Sequence, residues 1–268
     1  MTVRQPAVAG LFYPANPEAL ERDVRGYLPA DAASEKAFGA IVPHAGYVYS
    51  GPVAGAVYAR MEIPRTVVIV CPNHTGRGAP AAMDPSESWQ TPLGEVPLAR
   101  PLAERLRELA PRVTEDSEAH RREHSLEVQL PFLKVLRPDV EIVPLCLGEP
   151  SFSLCREVGE AFARVAGEEK EAPLLLASSD MNHYESRAVG RAKDDLALER
   201  IEALDPEGLF GTVLDRSISM CGFLPATALL VAARAAGASR ARVVSRRDSG
   251  DETGDASSVV GYAGVLVT

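Results

Sequence analysis

Four short stretches of the chain, residues 38–43, 66–71, 140–147 and 173–178, are nearly unbroken runs of Val, Ile, Leu, Ala and Cys. Continuous apolar character of this length predicts strands covered on both faces. Segments of helical period lie between them. Asn16-Pro17-Glu18 reads as a cap, a first-turn proline and an acid at the positive helix end, opening a helix over 16–28. Further helices are predicted over 52–61, 98–109, 125–136, 154–165, 188–204 and 225–236. The alternation predicts an α/β fold, a mostly parallel mixed β-sheet with helices on both faces. Strands at 242–245 and 259–267, joined by the stretch from Asp248 to Asp255, are expected to pair antiparallel at an edge. A strand-turn-strand is expected around 89–96, where Pro92 and Gly94 supply the turn. With no internal repeat and no long linker, 1–268 reads as a single domain.

Composition narrows the partners. The chain of 268 residues carries a net charge of -9 and is 46% hydrophobic and 24% charged. An acidic surface repels phosphate backbones and anionic lipid, which argues against nucleic acid or a membrane as partner. The short basic pairs Arg121-Arg122 and Arg246-Arg247 are flanked by acids and read as ion-paired surface. No stretch of 18 apolar residues is present, and no basic segment followed by an apolar run opens the chain. Cys71, Cys146, Cys155 and Cys221 form no C-x-x-C pair, so reduced thiols and a cytoplasmic location are expected.

In parallel sheets ligands bind beyond the carboxyl ends of the strands, so the residues just after each apolar run are informative. His44-Ala-Gly46 follows the first run, Asn73-His74-Thr75-Gly76 the second, and Asp180-Met-Asn182-His183 the fourth. Three of the five histidines thus sit at strand ends. Two imidazoles and one more donor suffice for a transition metal with open positions. On spacing alone the third donor is either Asp180 or a residue of the Ser217–Pro225 stretch, which contains Cys221. A thiol ahead of a helix that opens at Leu224-Pro225 feels the positive end of the dipole, which makes thiolate accessible; a packed core cysteine is the alternative. His120-Arg-Arg-Glu123-His124 spells an inverted zinc-protease signature, but it straddles an expected helix start at Ser125 and is set aside. No P-loop, G-x-S-x-G elbow, dinucleotide fingerprint or EF-hand is present.

The blocks Arg4-Gln-Pro-Ala-Val-Ala-Gly-Leu-Phe-Tyr-Pro14, Val42-Pro-His-Ala-Gly-Tyr-Val-Tyr-Ser-Gly51, Pro72-Asn-His-Thr-Gly76, Trp89-Gln-Thr-Pro-Leu-Gly94, Glu123-His-Ser-Leu-Glu-Val-Gln-Leu-Pro-Phe-Leu133, Ser178-Ser-Asp-Met-Asn-His183 and Met220-Cys-Gly222 occur in one order. In them the chain resembles the Memo family, whose prokaryotic members are called AmmeMemoRadiSam system protein B. That family resembles class III extradiol dioxygenases. The resemblance implies that His44 and His74 are metal ligands and Cys221 the third, where the dioxygenases have a carboxylate. It places His183 at the acid-base histidine and Asp180 at a neighbouring polar position. It implies Fe(II), with copper or zinc as alternatives that a thiolate favours. As partners it implies an AMMECR-type protein, a radical SAM enzyme, and a small-molecule or peptide ligand.

Three functions are expected on these grounds. The first is a metal-dependent redox protein of dioxygenase-like chemistry. The second is a thiol hydrolase with Cys221 as nucleophile, His183 as base and Asp180 as orienter. The third is a binding or adaptor module that uses the same pocket without turnover.

Overall fold

The computed structural model describes residues 2–268. After β1 (Val3–Arg4), Asn16 caps α1 (Pro17–Tyr27) by accepting the amide of Ala19, with Pro17 in the first turn, where an N–H has no partner to lose. Then come β2 (Gly39–Val42), α2 (Tyr47–Tyr58), β3 (Thr66–Pro72), β4 (Ala81–Met83), β5 (Ser88–Thr91), β6 (Gly94–Pro97), α3 (Arg100–Leu109) and β7 (Thr114–Glu115). A 3-10 turn (Glu127–Gln129) runs into α4 (Leu130–Leu136), followed by β8 (Glu141–Leu147), α5 (Phe152–Glu168), β9 (Leu174–Ser178) and β10 (His183–Glu185). The chain ends with α6 (Arg187–Glu202), α7 (Pro206–Asp215), α8 (Phe223–Ala236), β11 (Ala241–Asp248), α9 (Gly250–Thr253) and β12 (Val259–Val267).

The main sheet runs β11-β12-β2-β9-β3-β8-β4-β7, with β10 paired to the start of β12. Its centre, β2-β9-β3-β8, is parallel; β12 and β4 flank it antiparallel. Register aligns Val42 with Ser178 and Val70 with Ala177, so the carboxyl ends of β2, β9 and β3 open on the same edge. Alternate residues of each strand face opposite ways. Ile41, Val68, Val70, Leu145 and Leu175 pack under α3, α5 and α8, while Val42, Val67, Ile69, Leu174 and Leu176 pack under α1, α2 and α4. Burial on both sides is why these strands read as continuous apolar runs rather than as alternations. The expected α/β class, its mostly parallel mixed sheet and its two helical layers are observed.

The departures have local causes. Helix α2 starts at Tyr47, five residues before the expected start, and holds Pro52 in its interior. Eight of its twelve residues are buried, so packing overrides the break that a proline signals. Helix α7 was not expected, although Asp205 caps it through the amide of Gly208 and Pro206 fills its first turn. The Asp248–Asp255 connection contains the short α9. Strands β11 and β12 pair antiparallel as expected; β11 is the edge, and β12 is enclosed between it and β2. The strand-turn-strand at 89–96 is β5-β6, which forms a small separate sheet with β1.

This small sheet fixes a buried charge network. Arg4 stacks on Trp89 at 4.1 Å and ion-pairs with Glu127. It also donates to the carbonyls of His120 (3.0 Å) and Glu123 (2.7 Å). Glu127 accepts in addition from the amides of Ala7 and Val8 and from the Tyr13 hydroxyl. The chain from Arg4 to Tyr13 is thereby tied to the loop from His120 to Glu127. Because both charges are out of water, Arg4→Ala strands the Glu127 carboxylate. A loss of about 3–5 kcal/mol in urea unfolding is expected, against less than ~1 kcal/mol for the exposed Arg25→Ala.

Candidate metal centre

His44 lies two residues past β2, His74 two past β3, and Cys221 just ahead of α8. Helix α8 presses its first turn against the end of β9: a Cβ on Gly222 would lie 2.2 Å from the Ser178 carbonyl and 2.4 Å from the Ser179 Cβ. Only glycine permits that approach, which carries Cys221 to the sheet edge. There its Sγ lies 3.2 Å from His44 Nε2, and the donor atoms of His44, His74 and Cys221 all fall within 4.8 Å of one another.

Hydrogen bonding fixes which nitrogen each imidazole presents. The Ser178 hydroxyl spends its one proton on the Ser125 carbonyl at 2.6 Å. Gln129 donates through Nε2 to the Pro43 carbonyl and to Ser178 Oγ, both at 3.0 Å, its orientation set by the Tyr58 hydroxyl on Oε1. Ser178 Oγ therefore accepts from His44 Nδ1 at 2.9 Å, which leaves the His44 lone pair on Nε2. His74 Nδ1 donates to Glu123 Oε1 at 2.9 Å, and the His74 amide donates to Oε2 at 2.7 Å. Glu123 also accepts the amide and hydroxyl of Ser125. Both imidazoles thus turn Nε2 toward the thiol, as ligating histidines do.

Electrostatics separates the groups. Burial draws the His44 imidazole well below its ordinary pKa, and neighbouring imidazoles add to this. Burial acts on His74 in the same sense, but Glu123 outweighs it and the net shift is upward. Glu123 would be raised by burial, yet His74 and Ser125 hold it down to about 2. The Cys221 thiol departs from the expectation of an accessible thiolate. Burial pushes it well up and Asp180 adds to this, outweighing the amide donors of Asp180 and Gly222. A bound cation is what would displace its proton. Two imidazoles that present Nε2 and a buried thiol suit a borderline or soft transition ion.

Asp180 and His183 belong to the same cleft but not to the donor set. Asp180 Oδ1 accepts the His44 amide at 2.7 Å, and burial pushes its carboxyl up to about 7. His183 donates Nδ1–H to the Ser219 carbonyl at 2.8 Å while its amide donates to Ser219 Oγ. Asp180 therefore orients His44 rather than His183, and the thiol faces His44. This corrects the expected Cys221–His183–Asp180 hydrolase arrangement, whose base and orienter are paired elsewhere.

His120, Arg121 and Arg122 lie in a turn and Glu123 and His124 in irregular chain, with no helix to carry a zinc-protease motif. His120 is buried against Trp89 with Nε2 on the Ala82 carbonyl. Glu123 and His124, by contrast, reach the centre; setting the motif aside also set aside these two. The signal for them was their place directly ahead of the Leu126–Leu133 apolar stripe, which anchors the loop. The cleft itself has a volume of about 700 Å³, with Phe12, Tyr49, Tyr184 and Tyr262 among its walls. Tyr184, at its rim, is held in the left-handed region at φ 60.

A family model described as Memo-like protein matches residues 4–266. A relative from Methanosarcina acetivorans, described as a MEMO1 family protein, is 40% identical over 269 residues and 100% of both chains. One from Aquifex aeolicus with the same description is 40% identical over 270 residues, covering 99% of each. Among solved structures, an uncharacterized Escherichia coli K12 protein aligns with a TM-score of 0.54 at 19% identity. The alignment covers 76% of this chain and 87% of that one, a likeness of fold.

Asp180 gives the site a pH signature. Its native pKa of about 7 lies above the 3.8 of the free group, so the native state binds the extra proton between them. The stabilisation is full below pH ~4 and is lost as pH rises through 7, at most ~4 kcal/mol. In chelator-treated protein, Asp180→Asn should therefore gain stability relative to wild type as pH rises from 4 to 8, read from paired urea titrations. A difference independent of pH would contradict the shift.

Proposed function

The chain belongs to the Memo-like protein family, and on that premise we propose that it is a metal-dependent redox protein holding Fe(II) or copper between His44 Nε2, His74 Nε2 and Cys221 Sγ. The observation that carries this reading is the pair of imidazoles whose Nδ1 atoms are both committed, to Ser178 and to Glu123, so that two lone pairs and a thiol face one another within 4.8 Å. When bound, the ion would supply one-electron or oxygen-activating chemistry of the dioxygenase-like kind.

The remaining work falls to the chain. Ser178 and Glu123 orient the donors, and the Asp180 amide supports negative charge on Sγ at 3.3 Å. His183, kept neutral by burial and anchored through Nδ1, offers Nε2 as a proton acceptor toward a small molecule in the cleft. In the cytoplasm an AMMECR-type protein and a radical SAM enzyme are the proposed partners, and zinc is the competing ion. A second reading, a binding module for a peptide, is favoured by Leu11 and Tyr184, 81% and 78% exposed at the cleft mouth.

Anaerobic purification followed by metal analysis separates these readings. Wild type should carry stoichiometric iron or copper, and His44→Ala or Cys221→Ser should lose it while remaining folded by circular dichroism. Glu123→Gln should keep the ligands but weaken affinity about 10–100-fold. Stoichiometric metal in a His44→Ala, His74→Ala, Cys221→Ser triple variant would sink the proposal.

A further inference from the structure

Four of the five histidines anchor one ring nitrogen: His44 on Ser178, His74 on Glu123, His120 on the Ala82 carbonyl and His183 on the Ser219 carbonyl. His124 anchors neither. Among the described residues its nearest carboxylate oxygen, Glu123 Oε1, lies 3.5 Å from Nδ1 without a hydrogen bond. Its ring stacks on His74 at 4.7 Å and 29° and packs tilted against Phe12 at 4.7 Å. Its ring nevertheless lies beside both donor imidazoles, although as it stands its ring nitrogens group with His74 and Glu123 rather than with His44 and Cys221. The ring centroids of His44, His74 and His124 form a triangle with sides of 5.2 Å, 4.7 Å and 5.5 Å. Imidazoles that share one tetrahedral ion through bonds of about 2.0–2.1 Å have centroids separated by roughly 5 Å.

We propose that His124 is a conditional fourth donor, turning from its stack on His74 onto an ion held by His44, His74 and Cys221 when that ion requires four protein ligands. The inference rests on the centre proposed above and adds to it a choice of coordination number. Ions content with three donors, such as Cu(I), leave His124 stacked and the fourth position free for a ligand from the cleft. Tetrahedral ions such as Zn(II) or Co(II) recruit the ring, which closes the position. The buried Glu123 one residue before it holds the backbone still, so only the side chain has to move.

Cobalt tests this without activity. Apoprotein is titrated anaerobically with Co(II) in wild type, His124→Phe and His124→Gly, following the thiolate-to-cobalt band and the d–d bands. All three should show the thiolate band, which reports Cys221. Both variants should change the d–d envelope and weaken Co(II) binding about tenfold, a ligand-scale effect. Added imidazole should restore the wild-type envelope in His124→Gly, and Cu(I) affinity should be unchanged throughout. Identical d–d spectra and Co(II) affinities in the three proteins would overturn the fourth donor while leaving the centre intact. A second equivalent of Co(II), lost on replacing His124, would overturn it in favour of a separate ion on Glu123 and His124. Absence of the thiolate band in wild type would overturn the centre and the fourth donor together.

Discussion

Two carboxylates four residues apart, Glu123 and Glu127, are completely out of water, and the architecture around the cleft is the means by which both are fully hydrogen-bonded there. Burial of a bare carboxylate is prohibitive, so each has recruited a set of donors. Glu127 takes Arg4, two amides and Tyr13 from the beginning of the chain. Glu123 takes the amide and ring of His74 and both donors of Ser125. One loop thus fastens the first dozen residues to the end of β3. The wall of the cleft, formed by Leu11 and Phe12, is positioned through the same loop that orients the His74 imidazole.

The two donor imidazoles are not equivalent. His44 hands its Nδ1 proton to a neutral serine that is itself polarised by a carbonyl and an amide; His74 hands its own to an anion. Burial and the neighbouring imidazoles lower the pKa of His44, whereas burial of His74 is outweighed by the Glu123 anion, which makes His74 the stronger base. An ion between them would sit in a graded field, with a hard-pushed nitrogen on one side, an ordinary one on the other, and a polarizable sulfur closing the set.

Much of the fold was legible because its central strands are buried on both faces, a condition that writes itself as unbroken Val, Ile and Leu. Strand-end logic then sufficed for His44, His74 and the 180–183 loop, since parallel strands deliver their carboxyl ends to one edge. Cys221 was ambiguous for a physical reason: a thiol at a helix start and a core thiol look alike until the close approach that Gly222 permits is known. Glu123 and His124 had only their place ahead of the Leu126–Leu133 apolar stripe to mark them, because their role depends on a loop tied down by Arg4 from more than a hundred residues away. The start of α2 was misplaced because local proline chemistry yielded to burial.

The sulfur and the imidazole that meet at 3.2 Å are separated by 177 positions in the chain, and the other imidazole arrives by a third route. No local segment of the unfolded chain can assemble this trio, since closing loops of that length is entropically costly until the sheet itself provides the framework. The pocket therefore depends on the sheet to bring its parts together. Only a correctly folded molecule brings these three donors within 4.8 Å of one another, so any ion bound there would meet a finished scaffold.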